Sequence, residues 1–300
     1  MPPFPTKRML GIDFFVGTAA EAIAHISKYG GLIVAPAAPS FIALQDDPDY
    51  RRAIADADLA IADSGWAVLF WRLLRREKLS RISGLALFKA LLETADARVP
   101  GNLFFILPSE KAKTKTLEFG RNSGYPITAD DCYVAPRYFS CSHGSVSREE
   151  RERVSQRRGY SIADDALERE RVSQKRGYSI ADDALVAILQ SRKPKHIIIG
   201  IGGGMQDKLG SYLKHQLTYR PGIYCIGAAP GFVTGDQIVI PMWADRFFVG
   251  WIFRLLAQPR TLLPRFWSAR RLPGMIWRYG SELPEVRGQK SEIRRTETED

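Results

Sequence analysis

Four short stretches carry residue types whose spacing suits chemistry. The most pronounced is residues 196–208, HIIIGIGGGMQDK. Ile197, Ile198 and Ile199 form an apolar run of the kind buried on both faces of a sheet. Gly200, Gly202, Gly203 and Gly204 break it, and Met205-Gln206-Asp207-Lys208-Leu209 opens a helix. Strand, glycine turn and helix make the corner where open α/β sheets bind ligands. Glycines admit a ligand close to the backbone, and a helix amino terminus favours an anion such as phosphate. Gln206 and Asp207 stand where side chains could reach such a ligand. The spacing supplies half a dinucleotide fingerprint, because position 205 is Met rather than a third glycine. On spacing alone, a ligand site and a merely tight turn both stay open.

The second stretch is Asp63-Ser64-Gly65, at the end of an apolar run over residues 59–62. A carboxylate at the carboxyl end of a buried strand faces the ligand crevice. The same residue types also cap helices, so Asp63 has a structural reading beside the functional one. The third is Arg81-Ile82-Ser83-Gly84, where Ser83 caps a helix over 85–95 and Arg81 either holds a phosphate or is one more exposed arginine. The fourth runs from Gly227 to Gly231, a second small-residue corner after an apolar strand.

The elements that must position these corners alternate along the chain. Residues 9–15, 32–35, 59–62, 103–107, 197–199 and 222–227 read as strands, with a further short one inside 127–135. Helices are expected at 19–29, 48–57, 65–75, 85–95, 109–119 and 205–217. Thr18 and Glu21 form a capping box for the first, and Gly30 stops it. Gly120 is expected to stop the helix over 109–119. Strands alternating with helices imply a doubly wound, mostly parallel sheet. Residues 150–167 and 168–185 are near-identical copies that differ only at Arg157 and Lys175. This tandem duplication reads as an insertion rather than a solenoid, with the second copy integral: Ser179 caps a helix that has Asp182 at its third position.

The chain has 300 residues and a net charge of +10, which points to an anionic partner. Cys132, Cys141 and Cys225 show no CxxC spacing and fit a reducing compartment. With four scattered histidines and no DxD at a strand end, no metal site and no cofactor are expected. The first residues do not read as a signal peptide, and no run of 18 apolar residues spans a bilayer. Residues 241–279 hold four tryptophans and seven arginines against one acid, Asp245. Such a basic, aromatic, amphipathic segment suits the headgroup region of an anionic membrane; a helix packed on the sheet is the plainer reading. No nucleic-acid reading motif accompanies the charge. The expected organisation is an α/β domain over 1–240, a helical basic appendage over 241–279 and a disordered tail over 280–300.

The segments DLAIADSG at 58–65, RISG at 81–84, IGIGGGMQDK at 199–208 and WIFRLLAQPR at 251–260 match, in order and spacing, those of a known family. The chain thereby resembles the WecG/TagA/CpsF glycosyltransferases over roughly residues 10–270. The resemblance implies a Rossmann-like α/β fold with a carboxy-terminal appendage. It implies transfer of a sugar from a UDP-sugar to a polyprenyl-diphosphate-linked saccharide, at the inner face of the cell membrane, in surface polysaccharide assembly. It makes Asp63 the general base and puts Arg81, Ser83, Gly84, Gly202, Gly203, Gly204, Gln206, Asp207 and Gly227 around the donor. Arg246, Arg254, Arg260 and Arg265 would face the diphosphate and the membrane. Inversion at the anomeric carbon and leaving-group stabilisation by arginines and helix dipoles are expected. The chain departs from the family pattern at Ala35-Pro36-Ala37, where Thr-x-Asn is usual, at Leu85 and Ala86, at Gly231 and at Gly250. These losses of polar groups predict altered donor recognition, and they keep open a non-catalytic nucleotide-sugar-binding or scaffolding protein. The missing third glycine speaks against a nicotinamide oxidoreductase. The donor sugar and the oligomeric state, homo-oligomer included, are not fixed.

Overall fold

The computed structural model describes residues 4–136, 138, 180–236, 267 and 269–286. The duplicated units up to residue 179, the stretch 237–266 with Arg246, Arg254, Arg260 and Arg265, and residues 287–300 lie outside the described residues.

Eight strands form one sheet: β1 Thr6–Met9, β2 Ile12–Phe15, β3 Gly31–Val34, β4 Leu59–Ala60, β5 Leu103–Leu107, β6 Cys132–Val134, β7 His196–Ile199 and β8 Gly222–Cys225. Their order is β1-β2-β4-β3-β8-β7-β5-β6. Only β1 runs antiparallel to its neighbour. The expected mostly parallel α/β sheet is therefore present. Strands β3, β5, β7 and β8 are buried along their whole length, which is why they read as unbroken apolar runs.

Helices cover both faces. One face carries α2 Ala38–Asp46, α3 Pro48–Ala55, α4 Gly65–Arg75, α7 Asp183–Arg192, α8 Met205–Gln216 and α10 Leu272–Tyr279, through Phe41, Tyr50, Trp71, Leu185, Leu213 and Ile276 among others. The other face carries α1 Ala19–Tyr29, α5 Gly84–Leu92, α6 Glu110–Ser123 and α9 Ala229–Thr234, through Ile23, Phe88, Ala112 and Ala229. The carboxy-terminal helix α10 is part of this core and not separate from it. Leu272 and Ile276 are buried in the same cluster as Trp71 of α4. Leu10 N–H also donates to the Gly280 carbonyl at 2.8 Å.

Three local expectations need correction. The expected strand over 9–15 is a hairpin, because Leu10 and Gly11 both take positive φ (50° and 77°) and turn the chain between β1 and β2. The helix expected to stop at Gly120 continues to Ser123 and ends at Gly124 in the left-handed region. Gly120 instead gives room: a Cβ there would stand 3.0 Å from the Ile127 Cβ. Helix α7 begins after Asp182, so Asp182 is its cap and not an interior third position. Its carboxylate accepts from Leu185 N–H and from the Tyr133 and Tyr138 hydroxyls, which fixes the chain at that point. The capping box at Thr18 and the Ser83 cap of α5 form as expected.

Candidate functional site

The four corners meet at the carboxyl edge of the sheet. Strands β3 and β8 are neighbours, yet the helices that follow them, α2 and α9, leave to opposite faces. That divergence opens a crevice at the strand ends.

Asp63 lies just beyond β4, partly buried, and its Oδ1 accepts from Gly84 N–H at 2.9 Å. Ser64, not Asp63, caps α4 through Ala67 N–H. The capping reading of Asp63 at its own helix therefore goes to its neighbour, and the Asp63 carboxylate bridges instead to the first turn of α5. Arg81 Nε donates to the Asp63 carbonyl at 3.0 Å, so the arginine holds the backbone of this corner. Gly84 has no Cβ because none fits comfortably: it would lie 3.2 Å from the Ile226 carbonyl and 3.4 Å from the Ala229 Cβ. The Asp63–Arg81–Gly84 corner thus packs directly on the corner at residues 226–229.

That second corner touches the glycine turn. A Cβ on Gly227 (φ 59°) would stand 3.3 Å from Gln206 Oε1 and 3.9 Å from the Gly202 Cα. A Cβ on Gly200 would lie 3.4 Å from the Gly227 carbonyl. Gly202, Gly203 and Gly204 all have positive φ, at 78°, 44° and 76°. Side chains added at Gly202 or Gly203 would meet nothing within 4 Å, so this backbone faces open space. One strip of backbone therefore joins Asp63, Ser83, Gly84, Gly227, Gly202–Gly204 and Gln206.

Beneath the strip the polar groups are buried. Gln206 is 5% exposed; its Nε2 donates to the Cys225 carbonyl at 3.2 Å, while Oε1 has no hydrogen-bond partner among the described residues. An unfilled amide acceptor beside Gly227 and Gly202 is costly unless a donor arrives. Asp207 is 1% exposed and turned into the protein, and burial raises its carboxyl to about 8. It supports the turn from below and does not line the crevice. Tyr50 of α3 floors the turn, with its ring 3.7 Å from where a Gly204 Cβ would be. Burial, with the Asp207 charge second, pushes its hydroxyl well above the usual range. Nothing in the sequence around Tyr50 marks it, because it arrives by the packing of α3 on α8.

The helix starts differ in their caps. Helices α1, α3, α4, α5, α6 and α7 have side-chain caps from Thr18, Asp47, Ser64, Ser83, Ser109 and Asp182. Helices α2, α8, α9 and α10 start from Ala37, Gly204, Ala228 and Arg271 with no side-chain cap. The first three follow β3, β7 and β8, which border the crevice. A helix start without a capping side chain has backbone N–H groups that could serve an anion. A signal for α2 was visible in Ala37, a residue that cannot cap.

This is an α/β protein with a glycine-floored crevice and, among the described residues, the Asp63 carboxylate at its rim. A model of the Glycosyl transferase WecG/TagA/CpsF family matches residues 7–157 and 163–287. The chain belongs to this family of glycosyltransferases. No curated protein matches the chain.

Proposed function

We propose that the protein transfers a hexosyl or N-acetylhexosaminyl group from a UDP-sugar to a polyprenyl-diphosphate-linked acceptor in surface polysaccharide assembly. The observation that carries this reading is the single strip that links the Asp63 carboxylate to the open Gly202–Gly204 turn. A donor diphosphate lies over the glycines and the uncapped starts of α2, α8 and α9, where helix dipoles stabilise its charge. The Gln206 acceptor receives a donor N–H or O–H. Asp63 takes the proton of the acceptor hydroxyl as its oxygen bonds to the anomeric carbon. The bond from that carbon to the UDP oxygen breaks, and the sugar inverts. Arg81 holds the Asp63 corner through the Asp63 backbone carbonyl. Arg246, Arg254, Arg260 and Arg265 neutralise the acceptor diphosphate, for which their forked donors are suited. The protein works as a peripheral protein on the inner face of the cell membrane; no described helix is long and apolar enough to cross one.

Asp63→Asn tests the base. The amide oxygen still accepts from Gly84 N–H, so the fold is kept. UDP release in the presence of lipid-linked acceptor should fall by about 100-fold or more, the scale of general-base catalysis. Full activity in that variant refutes Asp63 as base.

A second reading has one observation in its favour. Ala37 starts α2 without a capping side chain, where the family pattern has Asn. A protein that binds nucleotide sugar without turnover would tolerate that loss. It would bind UDP and release none from any UDP-sugar at any acceptor concentration.

A further inference from the structure

Helix α4 starts one residue after the Asp63-Ser64 corner and turns an unusual face to solvent. Leu69 is 52% exposed and Leu73 is 68% exposed. They alternate with exposed Arg72 and Arg76 at i, i+3, i+4 and i+7, which places all four on one stripe. The opposite stripe, Ala67, Val68 and Trp71, is buried in the core. Helix α10 packs beside α4 on the same face of the sheet and turns Trp277, 70% exposed, and Arg278 outward. Apolar residues cost free energy in water, and two leucines one turn apart, with an exposed tryptophan on the adjoining helix, call for a partner.

We propose that the outer face of α4 and α10 is a docking surface for an anionic bilayer, with Leu69, Leu73 and Trp277 entering the headgroup–acyl boundary. Residues 65–76 and 267–280 together hold six arginines and no acid. Glu77, next along the chain, is paired to Lys7 at 2.7 Å, and Asp46 is paired to Arg271 at 3.7 Å, so both neighbouring acids are already matched and the other five arginines keep the face basic. A surface of that composition is complementary to anionic lipid headgroups. A second copy of the chain fits worse, because a two-fold contact would set the arginines of one copy against those of the other. Nucleic acid would use the arginines and has no use for the leucines.

The site follows from the placement. α4 has its amino-terminal end at Asp63 and is 11 residues long, so about 16 Å separates the carboxylate corner from the far end of the stripe. Docking through this helix sets the crevice close beside the bilayer, within reach of a lipid-borne acceptor. This last step rests on the acceptor proposed above; the docking itself does not. It also differs from an attachment carried by residues 241–266 alone, since half of the surface belongs to the first half of the chain.

The test is sedimentation of the full chain with vesicles of phosphatidylcholine, with and without phosphatidylglycerol. The wild type should partition to the anionic vesicles and be released by salt. Leu69→Gln with Leu73→Gln should weaken partitioning by about tenfold, and Arg72→Gln with Arg76→Gln should weaken it and reduce its salt dependence. All four positions are exposed, so the fold is kept, and unchanged circular dichroism checks this. Partitioning of the leucine variant equal to wild type overturns the proposal. So does a wild-type dimer that the leucine variant dissolves, which would make the face an interface between copies. Competition by duplex nucleic acid that the leucine variant leaves intact also overturns it. UDP titration of the same variants separates the two readings: a wild type that docks but binds no UDP would defeat the proposed function and leave the docking surface standing.

Discussion

Asp207 sits at the third position of α8 with both carboxylate oxygens inside the protein and no hydrogen-bond partner among the described residues. Its stability consequence has a definite sign. In the unfolded chain an aspartate titrates near 4; in the folded protein burial raises this one to about 8. Between those values the folded state holds a proton that the unfolded state has released. Its contribution to stability is therefore greatest below about pH 4 and declines as pH rises to about 8. Asp207→Asn removes this slope and keeps the shape. Urea unfolding should show the variant gaining on the wild type from pH 5 to pH 8. A difference that stays constant across that range would mean the carboxyl is ionised in the folded protein. The neighbouring Gln206 is a different case, because its unfilled Oε1 lies beside Gly227, 3.3 Å from where a Cβ there would stand, and not among the packed helices.

At the scale of elements, glycines report on two kinds of packing. Gly210 lies in the middle of α8, where a Cβ would stand 2.5 Å from Cys225 Sγ and 2.7 Å from Leu32 Cδ1. The helix thus lies almost on the backbone of β3 and β8. Gly274 in α10 is exposed and has nothing within 4 Å. Gly210→Ala should destabilise by about 1–3 kcal/mol through overpacking, while Gly274→Ala should stabilise by about 0.5–1 kcal/mol through helix propensity. Thermal melts of the pair check both; a gain in both variants would mean α8 sits farther from the sheet. The same contrast explains what was legible along the chain. The Thr18 capping box and the Ser83 cap are local devices, and they read correctly. The role of Gly120 was not legible, because it depends on Ile127 arriving from beyond the helix end. The Leu10-Gly11 turn was hidden by apolar residues on both sides, and only the positive φ of Leu10 reveals it. The Ser179 and Asp182 reading failed because the Tyr133 and Tyr138 hydroxyls settle which residue caps α7.

At the scale of the whole molecule, each corner of the candidate site was visible as a strand end followed by small residues. Their contact was not. It depends on β8 lying between β3 and β7, which brings Ile226, Ala229 and Gly227 between Gly84 on one side and Gly202 with Gln206 on the other. Chain order alone does not give that strand order. Tyr50 entered the floor for the same reason, and the uncapped starts of α2, α8 and α9 mean something only once they border a common crevice. The sheet then acts as one frame: one face carries α4 and α10 with their exposed apolar and basic residues, and its carboxyl edge carries the candidate site.

The central claim is that the glycine turn holds a uridine diphosphate. Two glycines make a matched pair for testing it. Gly202 has φ 78° and Gly101 has φ 77°, and an added side chain meets nothing within 4 Å at either. Valine at each position carries the same backbone strain, of order 1–3 kcal/mol. Only Gly202 borders the crevice; Gly101 lies in the turn before β5, at the opposite edge of the sheet. Titration calorimetry of UDP into wild type, Gly202→Val and Gly101→Val should give saturable binding to the wild type and Gly101→Val, and at least tenfold weaker binding to Gly202→Val. Equal binding by both variants, or no binding of UDP by the wild type, would contradict the account.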